Sequence, residues 1–161
     1  MDVLDEKTLS ELAARVRAYP YPREMVVDVL RAIQERRGWV SDEGVELAAQ
    51  LLRISPLEVE EVATFYDKIY RRPVGRKVIH LCDSVCCFSR GGEDILKHLE
   101  KRLQITLGQT TPDGMFTLLP TCCLGACGQA PAMSVNLRLY GHLTPEAVDR
   151  ILEEERREVS P

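Results

Sequence analysis

The residues of this chain that could do chemistry are its cysteines, and all six fall in two short segments, 81–88 and 121–131. The members of the two groups are Cys82, Cys86 and Cys87, then Cys122, Cys123 and Cys127. Six thiols used as small core residues would be scattered along the chain, so this clustering indicates two loops that share one bound ligand. Iron–sulfur clusters and structural zinc both bind deprotonated thiolates, commonly four per site. The sequence therefore predicts a metal centre built from both segments.

Spacing alone leaves the choice of four ligands open. The first segment offers Cys82 with Cys86 or Cys87, or the adjacent pair itself, and the second offers Cys127 with Cys122 or Cys123. Neighbouring side chains in an extended stretch point in opposite directions, so one cysteine of each adjacent pair is expected to face elsewhere. The small residues of 125–130 would let backbone amides approach and donate hydrogen bonds to bound sulfur, which is typical of an iron–sulfur site.

Three other interpretations of the cysteines compete with an iron–sulfur site. A structural zinc site could use four of the thiols, although neither segment has the two-residue spacing of most zinc knuckles. A disulfide framework requires an oxidising compartment, and dithiol redox catalysis requires a Cys-x-x-Cys pair, which the sequence lacks. His80 shares a strand face with Cys82, but a buried, hydrogen-bonded histidine is the more common situation.

The composition of the chain argues against nucleic-acid-binding, membrane-spanning and secreted proteins. The chain has 161 residues, a net charge of −4 and no basic run of the kind that binds nucleic acid. Its apolar runs are too short to span a bilayer, and the acidic start of the sequence lacks the order of a secretion signal. We therefore expect a cytoplasmic protein, in which clustered cysteines more often bind metal than form disulfides.

The first 70 or so residues carry apolar side chains at helical spacing and predict a small bundle of four helices. Thr8 with Glu11 predicts a capping box at the start of the first helix. Gly38 after two arginines predicts the end of the second, and Ser41 and Ser55 predict the starts of the third and fourth.

From Lys77 onward the apolar pattern changes to short β-branched runs. These predict strands at 77–81, 115–119, 132–135 and 137–140. One helix is expected to open at Ser89 or at the glycines 91–92, and another at Thr144. The first cysteine segment is predicted to be a loop, and the order β-α-β-β-β-α predicts a small α/β sandwich.

Three stretches carry a resemblance to a known family: the first cysteine motif at 82–87, residues 112–118 and the second motif at 123–131. They look like the 24 kDa iron–sulfur subunits of respiratory NADH:quinone oxidoreductase, complex I. The resemblance covers nearly the whole chain, because residues 38–40 and 61–66 in the helical part also match the family pattern. The paired cysteine motifs at this separation are highly specific.

The resemblance implies an α+β fold in two domains. The first, 1–74, would be a helical domain, and the second, 75–161, would be a thioredoxin-like domain that holds one [2Fe–2S] cluster. The family's Cys-x4-Cys and Cys-x3-Cys motifs fall on Cys82, Cys87, Cys123 and Cys127, which would be the ligands. Cys86 and Cys122 are extra to that pattern and have no family role.

The resemblance also implies an electron-carrier subunit of an NADH dehydrogenase module on the cytoplasmic peripheral arm of a membrane-bound complex. Its partners would be a flavoprotein subunit that carries FMN and NADH, and the large iron–sulfur subunit. Consistent with that, the chain has no Gly-x-Gly-x-x-Gly loop for a dinucleotide, and no catalysis is expected from the isolated chain. Two alternatives stay open: the equivalent subunit of a soluble NAD-linked hydrogenase or formate dehydrogenase, and a zinc-stapled interaction protein.

Overall fold

The structure, a computed structural model, describes residues 3–158. The chain divides into two units, of which the first ends at Pro73 and the second begins at Val74. Each unit buries its own cluster of apolar side chains. No helix in this described part of the chain combines the length and apolar character needed to cross a membrane.

The first unit contains the four predicted helices. They are α1 (Glu6–Ala18), α2 (Val26–Arg37), α3 (Asp42–Leu52) and α4 (Pro56–Phe65), with a 3₁₀ turn at Pro22–Met25 before α2. Side chains from α2, α4 and the α2–α3 connection are completely buried, among them Val29, Leu30, Ile33, Val40 and Val59. The four helices predicted from the apolar spacing are therefore confirmed.

Three predicted helix ends in the first unit are confirmed. The Ser41 hydroxyl accepts a hydrogen bond from the Gly44 amide at 3.3 Å, and Ser55 and Glu58 form a complete capping box at the start of α4. Gly38 follows α2 with φ of +81°, a conformation that glycine adopts without a Cβ clash.

The predicted capping box at Thr8 and Glu11 is wrong. Helix α1 begins at Glu6, and its N-cap is Asp5, whose carboxylate accepts the Thr8 amide at 2.9 Å and the Thr8 hydroxyl at 2.8 Å. A carboxylate that precedes the helix can satisfy the free amides of the first turn, and it interacts favourably with the helix dipole. Thr8 thus lies within the first turn of the helix.

The second unit is a four-stranded sheet with helices packed on it. Its elements are β1 (Lys77–Cys82), α5 (Val85–Phe88), α6 (Gly92–Leu103), β2 (Phe116–Thr121), β3 (Met133–Val135), β4 (Arg138–Tyr140) and α7 (Pro145–Arg157). The strand order is β2-β1-β3-β4; β1 and β2 are parallel, and the other neighbours are antiparallel. Apolar residues of the strands, α6 and α7 form one core. The predicted strands and both long helices are confirmed, and α5 is an additional element.

Candidate metal centre

The parallel pairing of β1 and β2 brings the two cysteine segments together. The register runs from Lys77 opposite Phe116 to Cys82 opposite Thr121. Because both strands run in the same direction, the segments that follow them leave the sheet at the same edge. Cys82 is the last residue of β1, and Cys122 comes directly after β2, so two groups of thiols far apart in sequence meet at this edge.

Hydrogen bonds continue this pairing beyond the strands. The Asp83 amide donates to the Thr121 carbonyl at 3.1 Å, and the Ser84 hydroxyl donates to the Cys122 carbonyl at 2.6 Å. The Cys82 thiol also reaches the Cys122 carbonyl, at 3.3 Å. These three hydrogen bonds therefore hold the two cysteine segments side by side where they leave the sheet.

The first cysteine segment is a one-turn helix, α5, rather than the predicted loop. The amides of Cys87 and Phe88 both donate to the Ser84 carbonyl at 2.9 Å. Four residues are too few to produce a helical period in the sequence, which is why the pattern did not reveal this turn. The side chains of Cys86 and Cys87 therefore differ in direction by one residue of a helix. They do not point in opposite directions, as adjacent side chains of an extended stretch would. Cys87 is buried and Cys86 is half-buried.

The second cysteine segment is an open loop whose three thiols, those of Cys122, Cys123 and Cys127, are exposed. The Gly125 amide donates to the Cys123 sulfur at 3.4 Å, which confirms the prediction that small residues let backbone amides reach sulfur. Gly125 has φ of +74°, a conformation that favours glycine. A 3₁₀ turn, Cys127–Gln129, then leads into the cis Ala130–Pro131 peptide before β3.

The two buried thiols of the first segment form a hydrogen-bonded pair. Burial acts to raise the pKa of Cys82, but hydrogen bonds from the Ser84 and Leu124 amides and from the Cys87 thiol outweigh it, and the pKa is lowered. Burial and the neighbouring Cys82 sulfur raise the pKa of Cys87. The two neighbouring thiols therefore differ in acidity, with the pKa of Cys82 shifted down and that of Cys87 shifted up.

Cys127 meets thiols from both segments. The side chains of Cys86 and Cys123 lie against it and raise its pKa to about 11. Thiols this close together resist losing several protons at once, because each thiolate repels the next. A bound cation removes that repulsion. The crowded thiols and the amides aimed at sulfur therefore fit a positively charged, thiolate-binding group such as iron.

The three histidines of the sequence do not complete this centre. His80 is completely buried in β1, and His98 on α6 pairs with Asp149 on α7, with 3.0 Å between Nε2 and Oδ1. Within residues 3–158, no three His, Cys, Asp or Glu side chains are grouped as they would need to be to hold a single metal ion. Among the thiols, Cys82 contacts Cys87, and Cys127 contacts both Cys86 and Cys123.

Comparison with protein families decides the identity of the fold. The family described as thioredoxin-like [2Fe-2S] ferredoxin matches residues 12–156. The chain belongs to the thioredoxin-like [2Fe–2S] ferredoxin family. The predicted α+β fold, with a thioredoxin-like [2Fe–2S] ferredoxin domain and helices before it, and the predicted [2Fe–2S] cofactor are thereby confirmed.

Relatives place this ferredoxin in a narrower group. It is 50% identical over 135 residues to a subunit of NADH-quinone oxidoreductase from Escherichia coli (strain K12), covering 84% of this chain and 81% of that one. The subunit of the same name from Pseudomonas aeruginosa is 42% identical over 151 residues, with 94% of this chain and 91% of that one covered. The predicted resemblance to this family of NADH:quinone oxidoreductase subunits is therefore confirmed.

A solved structure shares the ferredoxin's architecture. NAD⁺-reducing [NiFe]-hydrogenase in the air-oxidised state matches with a TM-score of 0.69 at 26% identity. The match covers 82% of this chain and only 23% of the hydrogenase chain. In that protein the matching region is thus one part of a much longer polypeptide.

Two residues of the site were missed by sequence reasoning. Ser84 joins the two loops through its hydroxyl, and Gly92 lets the start of α6 approach the backbone of Cys87. Ser84 occupies the N-cap position of α5, so it could have been noticed only if that short helix had been predicted. Gly92 was expected to open a helix, but nothing in the sequence shows what it lies against.

Proposed function

We propose that this chain is the iron–sulfur electron-carrier subunit of an NADH dehydrogenase module, and that it exchanges single electrons with the FMN of a partner flavoprotein subunit. Homology to subunits of NADH-quinone oxidoreductase supports the module. The single structural observation that carries the electron-carrier role is the parallel β1–β2 pair, which brings the two cysteine segments to one edge of the sheet.

Cys82, Cys87, Cys123 and Cys127 are the proposed ligands of one [2Fe–2S] cluster. The buried contact between Cys82 and Cys87 supports the first pair, and the contact between Cys123 and Cys127 supports the second. Backbone amides serve the sulfurs of both pairs, from Ser84 and Leu124 at Cys82 and from Gly125 at Cys123. Such hydrogen bonds favour the charged form of the ligands and tune the reduction potential.

The role of the protein in this function is to bind the cluster and to shield it from water. The cluster supplies the capacity to accept and return one electron. The thiolates would hold it, the amides would compensate the negative charge of those thiolates, and the buried side of Cys82 and Cys87 would exclude water. No general acid, base or nucleophile is assigned, so the isolated chain is not expected to oxidise NADH.

The proposed partners are the flavoprotein subunit that binds NADH and FMN and the large iron–sulfur subunit of the same complex, on a peripheral arm at the cytoplasmic side of the membrane. A second candidate is the equivalent subunit of a soluble NAD-linked hydrogenase or formate dehydrogenase. The fold shared with the NAD⁺-reducing hydrogenase favours the hydrogenase form of this candidate.

Spectroscopy and partner capture together test the proposal. Anaerobically purified protein should be red-brown, bleach with dithionite, and give one electron paramagnetic resonance signal from a reduced [2Fe–2S] centre. NADH alone should leave it oxidised, whereas NADH with catalytic amounts of the flavoprotein should reduce it. A colourless protein with one equivalent of zinc would establish the structural-metal alternative instead. Co-purification with hydrogenase subunits rather than quinone reductase subunits would select the second candidate.

A further inference from the structure

We propose that Ser84 is a positioning residue that holds the second cysteine segment against the first and tunes the cluster through the Cys122 carbonyl. This inference rests on the proposed function, in that Cys82 and Cys123 are taken as ligands. Ser84 itself is not a ligand in the proposal.

The position of Ser84 is unusual for a residue that precedes a helix. It is the N-cap of α5, yet its side chain makes no capping hydrogen bond. A serine at this position ordinarily accepts a hydrogen bond from an amide of the first turn. Here the hydroxyl instead donates to the carbonyl of Cys122, on the other loop, at 2.6 Å.

The contact lies where the backbone pairing of β1 and β2 comes to an end. The Asp83 amide makes the last backbone hydrogen bond between the segments, to the Thr121 carbonyl at 3.1 Å. The Ser84 hydroxyl then takes the next carbonyl along the second segment, that of Cys122. The side chain therefore extends the pairing by one residue, up to the position directly before Cys123.

Cluster binding makes this hydroxyl more important. In the structure the Cys122 carbonyl has two donors, the Ser84 hydroxyl and, at 3.3 Å, the Cys82 thiol. A cysteine binds metal as the thiolate and loses its proton. The Cys82 sulfur can then no longer donate, and it faces a carbonyl oxygen of the same sign of charge. Of the two donors, only the Ser84 hydroxyl remains, and it lies beside both that oxygen and the Cys82 sulfur.

The consequence is a defined effect on the reduction potential. Reduction adds a negative charge to the centre, and an uncompensated carbonyl oxygen beside Cys82 opposes that charge. Loss of the Ser84 hydroxyl should therefore make the potential more negative. It should also loosen the second loop and speed loss of the cluster.

The test compares Ser84→Ala with Ser89→Ala in the full-length holoprotein. Ser89 is a matched control, because its hydroxyl donates to the Cys86 carbonyl within its own segment, at 3.2 Å. Redox titration followed by electron paramagnetic resonance should give a more negative midpoint potential for Ser84→Ala and the wild-type value for Ser89→Ala. Cluster loss to an iron chelator should be about two- to tenfold faster in Ser84→Ala, the effect of one hydrogen bond.

A second pair of variants keeps the test decisive if Ser84→Ala yields little holoprotein. Ser84→Thr retains the hydroxyl and should match the wild type. Ser84→Val has the shape of the threonine variant without the hydroxyl, and it should behave like Ser84→Ala. Equal potentials and equal rates of cluster loss in Ser84→Ala and Ser89→Ala, or in the Thr and Val variants, would overturn the inference. A wild-type protein without a [2Fe–2S] spectrum would instead refute the proposed function itself.

Discussion

Gly92 lies directly against the backbone of Cys87. A Cβ atom built on Gly92 would be 2.7 Å from the Cys87 carbonyl oxygen and 3.0 Å from its carbonyl carbon. These distances are below van der Waals contact, and the atoms met belong to the backbone, which cannot swing away as a long side chain could. The start of α6 can thus pack against Cys87, a proposed ligand of the cluster, because residue 92 has no Cβ atom.

Gly92→Ala should therefore destabilise the protein, although alanine normally stabilises a helix by about 0.5–1 kcal/mol over glycine. Overpacking of this kind costs about 1–3 kcal/mol, and the displaced Cys87 should lower cluster occupancy as well. Denaturant unfolding and iron content measure the two effects. Lys97→Ala, an exposed substitution on the same helix, should stay close to wild type in both. A stabilised Gly92→Ala protein would show that the contact can relax freely.

Single cysteine-to-serine substitutions test the ligand set. Serine at 82, 87, 123 or 127 should abolish or clearly alter the visible and resonance spectra, because an alcohol is a poor substitute for a thiolate on iron. Cys86→Ser and Cys122→Ser are the internal controls and should keep the wild-type spectrum. If Cys86→Ser lost the cluster while Cys87→Ser kept it, the ligand of the first segment would have to be reassigned.

Local signals in the sequence were sufficient for most of the fold. The caps at Ser41 and Ser55 depend on contacts within four residues, so the sequence alone predicts them. The start of α1 was misplaced because Thr8 can also cap a helix, and the possibility of a cap at Asp5, whose carboxylate accepts the Thr8 amide, was not considered. The order of the strands depends on pairing between distant segments, which apolar periodicity does not encode.

The candidate site was predictable in its chemistry but only partly in its geometry. Six clustered thiols indicate a metal centre without any structure. The α5 turn is too short to leave a periodic signal, and it changes the relative direction of Cys86 and Cys87. The hydroxyl contact of Ser84 crosses between segments, so no local pattern could have identified it.

A buried charge on α7 is expected to matter for stability. The Glu155 carboxylate is almost completely buried, binds the Lys77 ammonium group and accepts a hydrogen bond from the Tyr140 hydroxyl at 2.6 Å. Glu155→Ala would leave both partners without this acceptor, although Lys77 keeps its contact with Glu158. We expect a loss of about 2–4 kcal/mol in the free energy of unfolding.

Glu154→Ala provides the comparison for this loss, because residue 154 is the adjacent glutamate of the same helix and is exposed. It should change the free energy of unfolding by less than about 0.5 kcal/mol. Denaturant titration of both variants measures the difference. Equal stabilities would mean that the buried carboxylate contributes no more than a surface charge.

Tyr70 should give the first unit a dependence on alkaline pH. Burial raises the pKa of Tyr70 from 10.0 to about 12, and the carboxylate of Asp67 acts in the same direction. A raised pKa means that the fold favours the neutral phenol. Its contribution to stability is therefore complete below pH 10 and is lost as the pH rises through about 12.

Spectrophotometric titration of tyrosinate measures this directly. The difference between wild type and Tyr70→Phe should show one tyrosine that ionises near pH 12. Tyr21→Phe, which removes an exposed tyrosine, corrects for the loss of one chromophore. A Tyr70 difference curve centred near pH 10 would contradict the expected burial.

The parallel register of β1 and β2 also determines when the site can exist during folding. Cys82 and Thr121 are partners in that register, and the intervening residues include α5 and α6. Closing so long a loop costs entropy before any contact between the strands offsets it. The thiols of the two cysteine segments therefore come together late in folding. The centre is complete only after β1 has paired with β2. A group that binds only the form in which β1 and β2 are paired draws the folding equilibrium toward that form, so loading of the cofactor should stabilise the pairing of the two strands.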